Sequence, residues 1–299
     1  MPLRKISTVE EPAMSYGGKW TEQKLDAFMA YVRAYLAIMK QFPYWETIYF
    51  DGFAGSGERI KERKNLLIPF EDELPEELNV YKGSVKRVLE EKNNLFDFYY
   101  FIDKNPDNIK NIEKIRSEIT HIKKDKIAVR ESDCNEQLPK LAQVLKKGKH
   151  AALIFVDPFG MQINWNSIAG LKGTRSDIWI LIPSGVAITR LLPRSGVITN
   201  KNKLEMFFGL PIDELRKIFY HDEVKTTLFG EMEQTKKLDK SIERITKLYA
   251  SQMRNIWPHV SEPLTLKNTK NRTIFHLLFA SNNKNALKIA SEIISKRQK

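Results

Sequence analysis

The sequence has one cysteine, Cys134, in 299 residues. That excludes an internal disulfide and any zinc or iron–sulfur site built from several cysteines, and it suits a reducing cytoplasm. Long apolar runs are missing too. No stretch reaches the length needed to span a bilayer, and residues 1–10 carry no signal-peptide pattern, so the expectation is a cytoplasmic protein with no membrane partner. Histidine is scarce: none of the five pairs at metal-ligand spacing, and no metal is expected. Acidic residues are outnumbered, 37 Asp and Glu against 49 Lys and Arg, and the formal charge of +12 favours a polyanionic partner such as nucleic acid. A composition that is 42% hydrophobic and 29% charged fits a soluble globular chain long enough to bury a sizeable core.

The most informative stretch is Thr47-Ile-Tyr-Phe-Asp-Gly-Phe-Ala-Gly-Ser-Gly57, where a buried strand runs into a glycine-rich turn. Gly52, Gly55 and Gly57 allow close backbone approach and positive φ at the carboxyl end of a strand, where open parallel sheets bind ligands. An ordinary strand-to-loop connection is the plainer reading. The spacing is neither the G-x-G-x-x-G dinucleotide fingerprint nor a P-loop, since no Lys-Ser/Thr pair follows Gly57.

Around this stretch the chain alternates strands and helices. A helix is expected over 24–41, opened by Thr21, with Leu25, Phe28, Val32, Tyr35, Leu36 and Met39 at helical spacing. Strands are expected over 97–103, 126–130, 151–157 and 176–183, separated by helical segments, which implies βαβ units and a mostly parallel sheet. Residues 1–18 read as an arm, and 58–79, with an acidic run at 71–77, as an irregular functional loop. From 185 to 258 three helical patterns follow without a strand between them. Strands return at 264–267 and 273–280, giving an antiparallel finish, before a last helix over 284–296. The expected organisation is a Rossmann-like core of 1–184 and 259–299 with a helical insertion or cap at 185–258.

Asp51, Asp103, Asp133 and Asp157 end or follow successive strands, and right-handed crossovers would bring them to one edge. Each alone serves as a helix cap or turn former; together near a core they are costly unless paired or bonded. A carboxylate ending the second strand suits a ribose diol.

On these residues the sequence resembles the class I S-adenosylmethionine-dependent methyltransferases. Asp51-Gly-Phe-Ala-Gly-Ser-Gly57 is similar to their first motif, Asp103 falls at the ribose-binding acid and Asp133-Cys134 at the adenine-contacting position. Asp157-Pro-Phe-Gly160 is similar to the Asp-Pro-Pro-Tyr motif of amino-methyltransferases, with Phe159 and Gly160 in place of the second proline and the aromatic. The resemblance implies S-adenosylmethionine as cofactor, held by Asp51, Gly52, Phe53, Gly55, Gly57, Asp103, Asp133, Cys134 and Asp157. It makes Asp157, Pro158 and Phe159 the catalytic candidates, acting on a base amino group of DNA or RNA.

More of the length resembles the three-Cys-motif partner (TcmP) family: Lys19-Trp20, Asp51 to Gly57, Phe101-Ile-Asp103, the stretch from Phe155 to Gly160, Asp177-Ile-Trp179 and His276 to Ser281. That resemblance implies a separate three-cysteine protein as partner, and with it the alternative of a non-catalytic subunit. Arg190, Arg194, Lys201 and Lys203 form a basic group suited to phosphates if the insertion lies over the strand ends. Tyr16, Lys19, Trp20 and Lys24 could reach the methionine end of the cofactor, although an apolar staple explains them as well. Cys134 is discounted as a nucleophile because no adjacent cation lowers its pKa. His276, Trp165, Trp179 and Trp257 are expected in the core.

Overall fold

The computed structural model describes residues 19–59, 81–158, 160–185, 187–227 and 230–298. The arm at 1–18, the loop at 60–80 with its acidic run, and Phe159 lie outside the described residues.

The chain opens with α1 (Lys19–Met39) and β1 (Glu46–Asp51). Then β2 (Glu58–Arg59) pairs antiparallel with β3 (Tyr81–Lys82), ahead of α2 (Ser84–Leu89). The alternating part follows as β4 (Phe98–Asp103), α3 (Pro106–Glu118), β5 (Ile127–Glu131), α4 (Cys134–Lys146), β6 (His150–Val156), α5 (Trp165–Ala169) and β7 (Ser176–Ile182). An insertion then carries α6 (Ala187–Leu191), α7 (Lys201–Phe208), α8 (Ile212–Phe219), β8 (Tyr220–Thr227), β9 (Gly230–Lys237) and α9 (Ser241–Arg254). The chain closes with β10 (His259–Val260), β11 (Leu264–Lys267), β12 (Thr273–Ser281) and α10 (Lys284–Arg297).

The main sheet runs β10-β12-β7-β6-β1-β4-β5, with β11 also paired to β12. Strands β5, β4, β1, β6 and β7 are parallel, and β12 enters antiparallel beside β7. This is a Rossmann-like arrangement, mostly parallel with an antiparallel C-terminal strand. Both faces are covered, which is why its central strands read as continuous apolar runs. On one face α1 lays Phe28 on Phe155, ring centroids 4.2 Å apart, and Tyr31 on Phe279 at 4.7 Å. The other face packs Ile154, Val156 and Ile180 beneath α4, α5 and the helices of the insertion.

Trp179 and Trp257 are fully buried and Trp165 nearly so, as expected of core residues. His276 sits in β12 with Nδ1 2.6 Å from Ser184 Oγ and 2.9 Å from Thr246 Oγ1, and burial pushes its pKa down to about 4. It is a neutral, satisfied core residue that ties the loop after β7 to α9.

Two expectations are corrected, and two short elements join those expected. Helix α1 starts at Lys19, before Thr21, because Trp20 anchors the first turn by packing on Phe275 at 5.0 Å. A short helix, α5, follows β6, and a short strand, β10, borders β12. The region 185–258 is not purely helical: β8 and β9 form a hairpin within it. These two strands pair with each other and not with the main sheet, and His221, Asp222 and Val224 are exposed, so pairing with the buried sheet imposes no alternation of apolar and polar residues on them.

Gly209 ends α7 in the left-handed region at φ +67°, where a Cβ would overlap the Trp165 ring. Replacing it combines backbone strain with overpacking. Gly209→Ala is expected to destabilise the protein by about 2 kcal/mol or more in chemical denaturation, whereas Gly148→Ala, at φ +102° with open space around it, should cost only the backbone term, about 1 kcal/mol.

Candidate functional site at the carboxyl edge

Parallel pairing brings the carboxyl ends of β5, β4, β1 and β6 side by side, at about 4.8 Å per strand. The turn after β1 is fastened from both neighbours: Gly52 N–H donates to Phe155 O and Ala54 N–H to Ile102 O, each at 2.9 Å. Within it the glycines have different reasons. A Cβ at Gly52 would overlap Cys134 Sγ, and one at Gly57, where φ is +70°, would press on Ile115 and Val85. These two permit close packing. Gly55, at φ +62°, has no atom of the described residues within 4 Å of where its Cβ would point, so among them its bare backbone faces open space.

The four acids fare differently as well. Asp51 is fully buried and turned inward, accepting from Ser84 Oγ at 2.6 Å, Tyr49 Oη at 3.1 Å and Phe53 N–H at 3.3 Å. Burial, reinforced by nearby Asp157, raises its pKa to about 7 against the pull of those donors. Asp103 is half-buried and braces the glycine turn, Oδ2 accepting from Gly55 N–H at 2.8 Å and Oδ1 from Asn105 N–H at 2.8 Å and Asn108 Nδ2 at 3.1 Å. Asp133 caps α4 through Asn135 N–H at 2.8 Å and pairs with Lys104 at 2.7 Å, contacts that outweigh its burial and lower its pKa. Asp157, just past β6, accepts from Lys24 Nζ at 2.5 Å.

Lys24 is the residue whose role here the strand-end pattern does not reveal. Its side chain is 1% exposed and that of Asp157 19%, so the pair spans from the buried face of α1 to the open edge. Its ammonium also lies 5.3 Å from the Trp20 ring centroid. A signal existed: Lys24, Phe28, Tyr31 and Tyr35 form one helical stripe, and a lysine inside an apolar stripe needs a buried partner. Asn135 is a second residue of this kind. It donates from Nδ2 to Gln162 O and accepts from Asn164 N–H, each at 2.8 Å, pinning the loop after Asp157 to the start of α4.

The remaining candidates divide. Phe53 is half-buried at the turn and Pro158 is buried beside Asp157. Cys134 is buried under Gly52 with its pKa raised well above the usual thiol value by burial, an inert packing residue. Lys201 and Lys203 open α7 and, with Met161 and Asn164, line a cavity of about 540 Å3 next to the loop that follows Asp157. Arg190 on α6 and Arg194 beyond it are exposed and do not line that cavity. Among the described residues no cluster of His, Cys, Asp or Glu could hold a metal, and no helix is long and apolar enough to cross a membrane.

No family model matches the chain, and no curated protein does. Solved structures do match. Protein LPL1258 of Legionella pneumophila, assigned to the DUF519 family, aligns over 92% of each chain at 14% identity with a TM-score of 0.50. That likeness supports the fold alone. Trm1 of Pyrococcus horikoshii, solved with S-adenosyl-L-methionine, aligns over 96% of this chain and 74% of its own at 8% identity, but with a TM-score of 0.38 it is too loose to inform this chain's chemistry.

Two outcomes are expected. Lys24→Met leaves the half-buried Asp157 carboxylate without its ammonium and should cost about 3 kcal/mol in chemical denaturation, with part recovered in Lys24→Met/Asp157→Asn. Because the folded-state pKa of Asp51 lies above its ordinary value, its stabilising contribution is complete below about pH 4 and is lost as the pH rises through 7. The stability difference between wild type and Asp51→Asn, followed by thermal unfolding from pH 4 to 8, should therefore shift toward the variant with rising pH.

Proposed function

We propose that the protein is an S-adenosylmethionine-dependent methyltransferase acting on nucleic acid, at an exocyclic amine of a base. The observation that carries this reading is Gly55, open at positive φ and braced by the acid that ends the neighbouring strand. The residues present fit the cofactor. Gly55 lets the adenosyl moiety approach the backbone, and Asp103, with a lone pair left on Oδ2, can accept from a ribose hydroxyl. Asp133, at the end of the next strand out, is the acceptor for an adenine amino group, and Phe53 supplies an apolar wall. Asp51, Gly52, Gly57 and Cys134 shape the turn from behind.

The cofactor supplies a sulfonium methyl for in-line displacement; the protein's work is to align the acceptor and exclude water. Asp157 and the Pro158 carbonyl accept the amine hydrogens and direct the nitrogen lone pair toward the methyl. Lys24 fixes the Asp157 carboxylate, so its orientation does not depend on substrate. A base within a duplex must leave the stack to reach this edge. Phe159 is the stacking candidate, and Lys201 and Lys203, with Arg190 and Arg194 further out, meet the flanking phosphates. The resemblance to the three-Cys-motif partner family adds a separate three-cysteine protein as a proposed partner of this enzyme.

Calorimetric titration with S-adenosylmethionine and S-adenosylhomocysteine tests the reading. Wild type should bind both, and Asp103→Asn, which keeps an acceptor for Gly55 N–H, should bind at least about tenfold more weakly through loss of a charge-assisted pair. Labelled methyl should enter DNA, tRNA or rRNA with wild type and not with Asp157→Ala. No binding by folded protein, with or without nucleic acid, would overturn the proposal.

A further inference from the structure

The opposite, amino edge of the sheet carries a group of rings that the core does not use. Helix α1 ends at Met39 and β1 begins at Glu46, and the connection between them reads Lys40-Gln-Phe-Pro-Tyr-Trp45. Phe42 is 40% exposed, Tyr44 is 67% exposed and Trp45 is half-buried. The three rings form a row. Phe42 and Tyr44 meet edge to face with centroids 6.1 Å apart, and those of Tyr44 and Trp45 are 5.6 Å apart. A contiguous group of exposed rings is costly in water and is characteristic of interaction surfaces.

The backbone that carries the rings is fastened. Phe42 N–H donates to Met39 O at 2.9 Å, Trp45 N–H to Phe42 O at 3.0 Å, and Glu46 N–H to Lys149 O at 3.0 Å. Pro43 fixes φ between the first two rings. Arg175, which precedes β7, holds its guanidinium over Trp45, 4.0 Å from the ring centroid. A ligand that stacks on Phe42 and Tyr44 therefore meets a platform already ordered, and little conformational entropy is lost on binding.

The charge around the rings has one predominant sign. Parallel pairing places the starts of β1, β6 and β7 side by side, and the three loops that enter them are basic. They carry Lys40, then Lys146, Lys147 and Lys149, then Lys172 and Arg175, all exposed. The acids of the same loops and strand starts are Glu46, 3.1 Å from His150 Nδ1, and the half-buried Asp177, which accepts from Tyr31 Oη at 2.6 Å. Six cations thus surround the rings against two carboxylates that already have neighbours.

We infer that this surface binds single-stranded nucleic acid, with bases stacked on Phe42 and Tyr44 and phosphates against the lysines of the loops entering β6 and β7. Unpaired bases have free π-faces for such rings, whereas a duplex keeps its base faces stacked inside. A protein partner would cover the rings but leaves the three basic loops without a purpose; a single strand uses both. Strands of six or seven residues put this surface about 20 Å from the carboxyl edge, so the inference does not depend on the cofactor site.

Fluorescence anisotropy with labelled oligothymidylate and oligouridylate of about 12 nucleotides, and with duplex DNA of the same length, tests this on the full chain. One or both single strands should bind more tightly than the duplex. Phe42→Ala/Tyr44→Ala removes two exposed rings and should weaken single-strand binding by about tenfold or more. Lys147→Gln/Lys149→Gln should weaken it too and flatten the slope of log affinity against log salt by about 1 to 1.5. Calorimetric titration of Phe42→Ala/Tyr44→Ala with S-adenosylhomocysteine should match wild type, which separates a failure here from a failure of the methyltransferase reading. Neither strand binding at low salt, a preference for duplex, or affinity indifferent to Phe42→Ala/Tyr44→Ala would overturn the inference. Binding lost in Lys201→Gln/Lys203→Gln but kept in Phe42→Ala/Tyr44→Ala would assign the strand to the carboxyl edge. A wild-type dimer that Phe42→Ala/Tyr44→Ala converts to monomer in sedimentation would make the rings an interface between copies of this chain, and equally reject the surface.

Discussion

A lysine whose side chain is 1% exposed must have its charge answered, and in this protein the answer is Asp157. Much of the carboxyl edge follows from that pair. It fastens the first helix of the described chain to the loop leaving β6, fixing α1 against Phe155, Phe279 and the rest of one sheet face. It also places a positive charge beside Asp157, the carboxylate whose charge reaches Asp51. Asp51 lies deeper and carries the raised pKa, whereas Asp157 has the partner and the opening to solvent. The two acids thus differ: Asp51 holds the turn together from within, and Asp157 stays partly open at the edge.

The sheet supplies the second constraint. Parallel strands put all their carboxyl ends on one edge and all their amino ends on the other, and α1 runs along the sheet between the two edges. Lys24 marks its upper end and Tyr35 its lower one, 11 residues or about 16 Å along the helix axis. The edges differ in charge pattern: carboxylates in a row above, and mostly cations below.

Most of the fold was legible in the sequence because the central strands are apolar runs bounded by glycine and aspartate, and because the isoleucines of α3 recur at helical spacing. The positions of Asp103 and Asp157 followed from those strands. What was not legible follows from physics that leaves no periodic trace. The β8–β9 hairpin pairs with no strand of the main sheet, and its largely polar residues carry no alternation. The different reasons behind Gly52, Gly55 and Gly57 depend on which neighbour lies behind each one, and only Gly55 has none among the described residues. Asp133 shows how the plainer interpretation can hold: it does cap a helix, and it pairs with Lys104. Lys24 could have been singled out, since it stands in the apolar stripe of α1, yet its partner is 133 residues away and no local pattern links them.

The most direct measurement is a crystal structure of the protein with S-adenosylhomocysteine. The account predicts the adenosyl group over Gly55, its ribose within hydrogen-bonding distance of Asp103, its sulfur turned toward Asp157, and the Lys24–Asp157 pair intact. A ligand bound elsewhere, or a carboxyl edge that stays empty at saturating concentration, would contradict it.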